Sequence, residues 1–449
     1  MNPEFRRNLL LELTLHRLVA MPLVLLLLYG AAGLVDAQAV SYIAGLVMLI
    51  LLAAWGSRLA ADAVLGEVAG RTWDSQRMSA LGPWQMSWGK LAGSTIFVWY
   101  GAALSVPALL YSHSTDLYDV LRLLLAGLFA QVLALFASLV IQRLRPERLR
   151  FHVTQAQIAG IVGTLVLWNM MKWGYTDAVD WYGLSFGTAE FSFVSGLLFA
   201  AWGCFGIYRL MRAELQFRCW PVGWSAFTLF CAVYVAGLIS GRVVGDVVEV
   251  PGGGATIQLL AAHMTIAGLT WVAAFAEPKG FVRLRRWRDT VRSGSPRDVL
   301  RVMPSWSPGL LLALASGIVL LLISLSSEGR YHYAAGAFLA SDGGSVGAFS
   351  TALFLFLLRD VGIIHFLTLD GRAKRALLSA LVYFAALYGL LPVILFSLGF
   401  EEVVPALVPS PVGHTVMVIV PVLLQVFLVA GLIGWRWTRL ARAMEPGKP

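Results

Sequence analysis

Glu67-Val68-Ala69-Gly70-Arg71-Thr72-Trp73-Asp74-Ser75-Gln76-Arg77-Met78-Ser79-Ala80-Leu81-Gly82-Pro83-Trp84-Gln85-Met86-Ser87-Trp88-Gly89-Lys90 is a polar island between two long apolar runs. It closes a stretch, Ser57 to Lys90, far longer than the roughly 2–8 residues that usually join neighbouring helices, so it holds structure of its own. Leu59, Ala63, Gly66 and Gly70 recur at helical spacing with Asp62 and Glu67 off that face, which predicts that the preceding apolar helix continues past the membrane. Thr72 is placed to cap a short helix reaching Leu81, with Asp74 near its positive end. Pro83 then breaks that helix, and Lys90 sits at headgroup level where the next span begins. Trp73, Met78, Leu81 and Trp84 would be uncovered in water, so this helix lies either on the membrane surface or in a groove of a partner protein.

The surrounding chain is that of an integral membrane protein. Of its 449 residues 58% are hydrophobic and 13% charged, against about 25% charged in a soluble protein. Mean hydropathy is +0.75. A span needs about 20 apolar residues, and about twelve such runs occur. They lie near 18–35, 39–56, 91–112, 117–141, 155–173, 190–208, 222–240, 255–276, 308–326, 346–366, 376–399 and 412–435. With both termini placed in the cytoplasm, all of the 34 Lys and Arg except Arg122, Lys172, Arg242 and Arg330 fall on the cytoplasmic side. The acids divide almost evenly, as expected when basic residues alone set orientation. The expected fold is therefore all-α and polytopic, with two six-helix halves, 1–215 and 216–449. The first run, from Leu18 to Val35, is longer than a signal-peptide core and is read as a retained span despite Ala37-Gln38-Ala39 after it. The net charge of +9 belongs to cytoplasmic loops rather than to a nucleic-acid surface. Ahead of the first span, Phe5, Leu9, Leu10 and Leu13 share one face of an expected interfacial helix, with Glu4, Arg7 and Glu12 off it. The outer connections are short turns such as Pro251-Gly252-Gly253-Gly254 and Asp342-Gly343-Gly344. Cys204, Cys219 and Cys231 form no CxxC, and the seven histidines no metal-binding pair, so no metal is assigned.

The order Glu67…Gly70-x-Thr72-x-Asp74…Leu81-x-Pro83-Trp84…Gly89-Lys90 resembles the coupling segment of ABC-2 type exporter permeases. The likeness covers roughly the first 110 residues and rests on topology beyond them. It implies a bacterial inner-membrane permease subunit, a transport chain rather than an enzyme, that works with a separate ATP-binding subunit as partner. ATP and Mg would sit on that partner, since no GxxxxGK[ST] occurs here and the chain itself holds no cofactor. On this likeness Thr72 to Leu81 is the coupling helix, and Glu67 and Arg71 anchor the junction beneath the membrane. Trp73, Asp74, Arg77, Leu81, Pro83 and Trp84 complete the coupling surface. Such permeases carry six spans and pair as homo- or hetero-oligomers, so about twelve spans imply two fused halves, each facing an ATPase. By helix count the equivalent loop of the second half is 277–306, with Arg286-Trp287-Arg288-Asp289 and Pro304-Ser305-Trp306 but no Gly-Thr-x-Asp. The competing stretch is Arg359 to Arg375, with Gly371-Arg372. Either way the second coupling surface is degenerate.

Charge inside a span costs about 2.5–3.5 kcal/mol, and the runs largely lack it. Arg359 and Asp360 are the exception: either a paired charge at a cytoplasmic gate, or the end of the tenth helix at the headgroups, with His365 beside it. His263 reads as a hydrogen-bonded helix contact, Lys172 as a snorkelling side chain, and Gly30/Gly33, Gly160/Gly163 and Gly203/Gly206 as weak packing pairs. The rival class is a self-sufficient twelve-helix secondary transporter of major-facilitator type, which would need coupling carboxylates within the spans. A lipid-modifying membrane enzyme would need a convergent His/Asp/Glu cluster, and the sequence offers none. Membrane lipids are the other expected partner, and a lipid-like, peptide or amphipathic cargo suits such apolar spans better than a small ion.

Overall fold

The computed structural model describes residues 2–112, 116–144, 151–172, 178–217, 222–239, 248–249, 253–277, 280–326, 332–333, 345–369, 373–410 and 415–443. Arg145, Arg148, Arg150, Cys219, Pro251-Gly252, Asp342-Gly343-Gly344, Gly371-Arg372 and the Lys172 side chain lie outside the described residues. The chain is a helical polytopic membrane protein. Among the described residues nine helices are long and apolar enough to cross a hydrocarbon core. They become ten if Pro83–Ser94 and Ile96–Leu109, bent by 51° at Thr95, form one broken span. The runs near 155–173 and 222–240 fall on His152–Lys172 and on Val222–Leu238, a shorter apolar helix. The only strands among the described residues are four short ones in two two-stranded sheets. Two compact units emerge, residues 1–179 with 185–219 and residues 180–184 with 220–449.

The first unit begins with α1 (Pro3–Glu12) and α2 (Leu15–Gly33), followed by α3 (Ala37–Ala69). The loop helix α4 (Trp73–Arg77) precedes α5 (Pro83–Ser94) and α6 (Ile96–Leu109), and α7 (Leu117–Leu144), α8 (His152–Lys172) and α9 (Thr188–Glu214) complete the unit. Helix α7 is its axle, packing on α3, α8 and α9. Small residues let the backbones close on it: a Cβ at Gly160 would come 2.5 Å from the Ala130 carbonyl oxygen, and one at Gly127 would come 2.4 Å from Leu52 Cβ. The glycine spacings that looked weak are thus close seats at Gly160 and Gly203, whereas nothing lies within 4 Å of Gly30.

Helix α3 contains a π-helical turn, Ile50–Trp55. Such a turn frees carbonyls that a membrane core must satisfy. Gln131, fully buried on α7, donates to Leu52 O at 3.0 Å and accepts from Trp99 Nε1 at 2.9 Å. Gln157 donates to Ala54 O at 2.7 Å, and the Ser57 hydroxyl donates to Ala53 O.

The second unit comprises α10 (Val222–Leu238), α11 (Gly254–Ala276), α12 (Phe281–Ser293), α13 (Pro296–Val302), α14 (Ser307–Ser326) and α15 (Val346–Thr368). It ends with α16 (Ala373–Ala385), a π turn (Ala386–Leu390), α17 (Leu391–Ser397), a 3₁₀ turn (Glu401–Ala406) and α18 (Thr415–Ala443). Here α15 is the central helix, touching α11, α14, α16 and α18. His263, fully buried on α11, ties three helices: its ring bonds Ser316 Oγ at 2.8 Å and Ser350 O at 3.1 Å.

Replacing Gly160 by Ala is expected to push α8 off α7 and cost about 1–3 kcal/mol, the range for overpacking a close seat. Gly30→Ala is expected to leave stability unchanged or slightly raised, and thermal melting of the two variants in detergent checks the contrast.

Candidate functional site

The junction beneath the first unit is built around one buried ammonium. Lys90 lies two turns into α5, and its side chain is 1% exposed, covered by protein on all sides. Its Nζ pairs with Glu67, contacts Glu4 Oε1 at 3.4 Å, donates to Ala63 O at 3.1 Å, and lies 5.4 Å from the Trp73 ring centroid. Glu67 also accepts from Arg7 Nη2 at 2.6 Å and from the Gln76 amide. Arg7 in turn reaches Glu4 at 3.0 Å. Two acids and two bases from α1, α3 and α5 thus form a neutral set in one place. Removing such charges from water is costly unless they are paired and hydrogen-bonded, and here each is.

Helix α1 is seated by the same chemistry. Asn2 caps it, accepting from Glu4 N at 3.1 Å, and donates to Gln85 O at 2.6 Å. Asn8 donates to Gly89 O at 3.2 Å. Gly89 and Gly93 admit it: a Cβ at Gly89 would lie 2.6 Å from Glu4 Cβ, and one at Gly93 2.8 Å from Asn8 Cβ. The polar edge of α1 therefore faces protein while Leu10 and Leu11, 68% and 62% exposed, face outward. An interfacial helix has this geometry.

At the end of α3 the backbone turns through Arg71, whose φ is +60°. Thr72 N bonds Glu67 O at 3.0 Å and Arg71 N bonds Val68 O at 3.2 Å, a Schellman closure with arginine in the place glycine usually takes. Arg71 is exposed, and its side chain makes no hydrogen bond or ion pair among the described residues, so of the two expected anchors only Glu67 serves. The Thr72 hydroxyl turns back to Glu67 O at 3.3 Å instead of capping the helix ahead. That helix, α4, ends at Arg77 rather than at Leu81, and the Ser79 hydroxyl takes the Gln76 carbonyl at 2.7 Å just beyond it. Pro83 opens α5, where the missing N–H is no loss.

Trp73 was expected to be exposed; it is 4% exposed, packed among Val64, Met86, Leu135, Leu139, Ile207 and Met211. Leu81 is half-buried against the same cluster. Arg77 Nε donates to Glu214 O at 3.0 Å, at the end of α9, and Arg143 pairs with the Glu214 carboxylate at 2.9 Å. The loop is thus rooted at Trp73, Gln76 and Arg77. Asp74, Met78 and Trp84 remain outward; Met78 is 82% and Trp84 56% exposed, the latter beside Trp88 and Tyr208.

In the second unit the 277–306 segment folds as α12 and α13. Glu277 follows α11 as Glu67 ends α3, and accepts from Ser305 N at 2.8 Å and Ser305 Oγ at 2.9 Å while pairing with Arg283. The competing stretch from Arg359 is not a loop as far as Thr368, because α15 continues that far. Arg359 and Asp360 therefore lie within α15, each 2% exposed, and the helix does not end at them as one of the two readings required. Arg359 donates to Asp360 at 2.8 Å, Gln425 Oε1 at 2.7 Å and Tyr388 OH at 2.8 Å, and Tyr388 OH donates to Asp360 Oδ2 at 2.6 Å. Tyr388 sits in the π turn, so this network joins α15, the turn and α18. His365 bonds Val361 O at 2.7 Å and faces the Trp306 ring.

Lys90→Met is expected to lower stability by about 3 kcal/mol, because it removes the buried cation between Glu4 and Glu67 and leaves the two carboxylates only the half-exposed Arg7. Thermal melting, together with protease release of the first twelve residues, checks this. Arg71→Gly is expected to raise stability by about 1 kcal/mol by removing the left-handed penalty on a residue with a Cβ. No protein-family model, curated protein or solved structure matches the chain.

Proposed function

We propose that the chain is the membrane-spanning permease subunit of an ATP-driven exporter of ABC-2 type, with twelve spans in two halves and both termini in the cytoplasm of a bacterial inner membrane. A separate ATP-binding subunit seats on the 72–84 loop and drives rearrangement of the spans. The observation that carries this reading is the division of labour within that loop. Trp73, Gln76 and Arg77 fasten it to α3, α7 and α9, while Asp74, Met78 and Trp84 stay open at its outer surface. An exposed apolar and acidic patch on a firmly rooted loop suits reception of force from a docked partner. Through Glu67 and Lys90 that force reaches α1, α3 and α5 together.

A second reading, an ion-coupled secondary transporter, is favoured by the Arg359–Asp360–Tyr388–Gln425 network. Ionisable groups within a span mark ion pathways by default.

Co-expression with a candidate ATP-binding subunit separates the two. Met78→Asp/Trp84→Ala is expected to reduce co-purification more than tenfold with an unchanged melting curve, whereas Trp73→Ala loses both association and stability. Association that persists in the exposed-residue variant rejects the docking surface. Gradient-driven transport by the chain alone, abolished by Asp360→Asn, establishes the second reading.

A further inference from the structure

The connection between α17 and α18 does not stay level with the end of α18. Helix α17 closes on Gly399, whose φ is +79°, with Gly399 N bonding Phe396 O at 3.1 Å and Phe400 N bonding Leu395 O at 2.9 Å. The chain reverses there, at a left-handed position that glycine takes without a Cβ penalty. Exposed Glu401 and Glu402 follow, and then Val403-Val404-Pro405-Ala406-Leu407-Val408, with no Asp, Glu, Lys or Arg before Thr415. An acidic pair belongs at the water boundary, and an uncharged apolar limb can descend below it.

The limb is fastened far from the helix ends. Gln425 Nε2 donates to Ala406 O at 2.7 Å, and Arg359 Nη1 donates to Leu407 O at 3.4 Å. Gln425 lies ten residues into α18, about 15 Å along its axis. Arg359 lies thirteen residues into α15, about 20 Å along that helix. At the opposite ends Arg436 of α18 donates to Phe366 O of α15 at 2.6 Å, so both depths are measured from one face. A hydrocarbon core is about 30 Å thick, which puts the foot of the 3₁₀ turn near its middle. Non-helical backbone survives at such depth only where protein or water satisfies it. Here Gln425 and Arg359 take the two carbonyls. Gln425 Oε1 also accepts from Arg359 at 2.7 Å, and Arg359 in turn holds Asp360 and Tyr388.

We infer that residues 399–410 form a re-entrant lid that covers the Arg359–Asp360 pair from the membrane face where α15 and α18 begin. Gln425 is the latch. One end of its amide holds the lid and the other holds the guanidinium, so lifting the lid opens the charge pair to water. The inference goes beyond both readings proposed above and does not depend on which of them drives transport.

The full chain, with its three native cysteines changed to alanine, is given single new cysteines and treated in open membrane sheets with a membrane-impermeant maleimide. Both faces are then accessible, and orientation does not enter. Glu402→Cys is expected to label fast, and Leu424→Cys, on the exposed side of α18 beside Gln425, not at all. Ala406→Cys is expected to label at least tenfold more slowly than Glu402→Cys. Adding Gln425→Leu, or Gln425→Glu, which loses the donor but keeps an acceptor for Arg359, raises the Ala406→Cys rate at least tenfold and leaves Glu402→Cys unchanged. Labelling of Ala406→Cys as fast as Glu402→Cys without a latch variant overturns the inference. So does a rate that neither Gln425 variant raises at an unchanged melting temperature. The first comparison needs no latch variant, so misfolding of either one does not shelter the lid from rejection.

Discussion

The Lys90 ammonium held between Glu4 and Glu67 is the contact on which the first unit's lower end depends. An unpaired ammonium in that position would cost several kilocalories per mole in lost hydration, so α5 packs with its lysine against a carboxylate. One carboxylate arrives on α1 and the other at the end of α3. α1 brings Glu4 together with Arg7, so its departure would remove one acid and one base and leave Lys90 with Glu67 alone. Gly89 and Gly93 serve the same end sterically, by letting α1 approach close enough for Glu4 to reach.

The loop between α3 and α5 acquires its character from this arrangement. A tryptophan placed in water would argue for a lipid surface or a partner groove, but Trp73 finds its cover inside its own bundle. Its ring also closes over Lys90, so the apolar root and the ionic root of the loop are one object. What is left for anything outside is smaller than the whole tryptophan-bearing stretch: Asp74, Met78, Trp84 and their exposed neighbours. The second unit repeats the principle with different residues. Glu277 closes its loop through the Ser305 backbone and hydroxyl and pairs with Arg283.

Spans were readable because apolar run length is a local property. So was the continuation of α3 as far as Ala69, since helical spacing continues through Ala63 and Gly66. The face was not readable. The residues buried there are Gly56, Ser57, Ala60, Ala61, Val64 and Leu65, selected by α7 and α8 packing on two sides. Glu67 stood out in the sequence, yet its partners were hidden: Lys90 is 23 residues away, and Glu4 joins Lys90 across 86. Nothing local distinguishes such a lysine from one that snorkels. Arg359 and Asp360 misled in the opposite sense. Two charges suggest a helix end, but Gln425 and Tyr388, distant in sequence, make the interior of α15 habitable for them.

The π turn at Ile50–Trp55 has a consequence for how α3 is phased. It holds one residue more than regular winding requires, and each residue rotates a helix by about 100°. The stalk beyond it, with Ala60, Val64 and Glu67, is therefore clocked independently of the membrane-embedded portion. Gln131 and Gln157 act as the escapement that keeps this extra residue in place. Changes in chain length near residues 50–55 would aim Glu67 at a new azimuth while leaving the embedded half undisturbed.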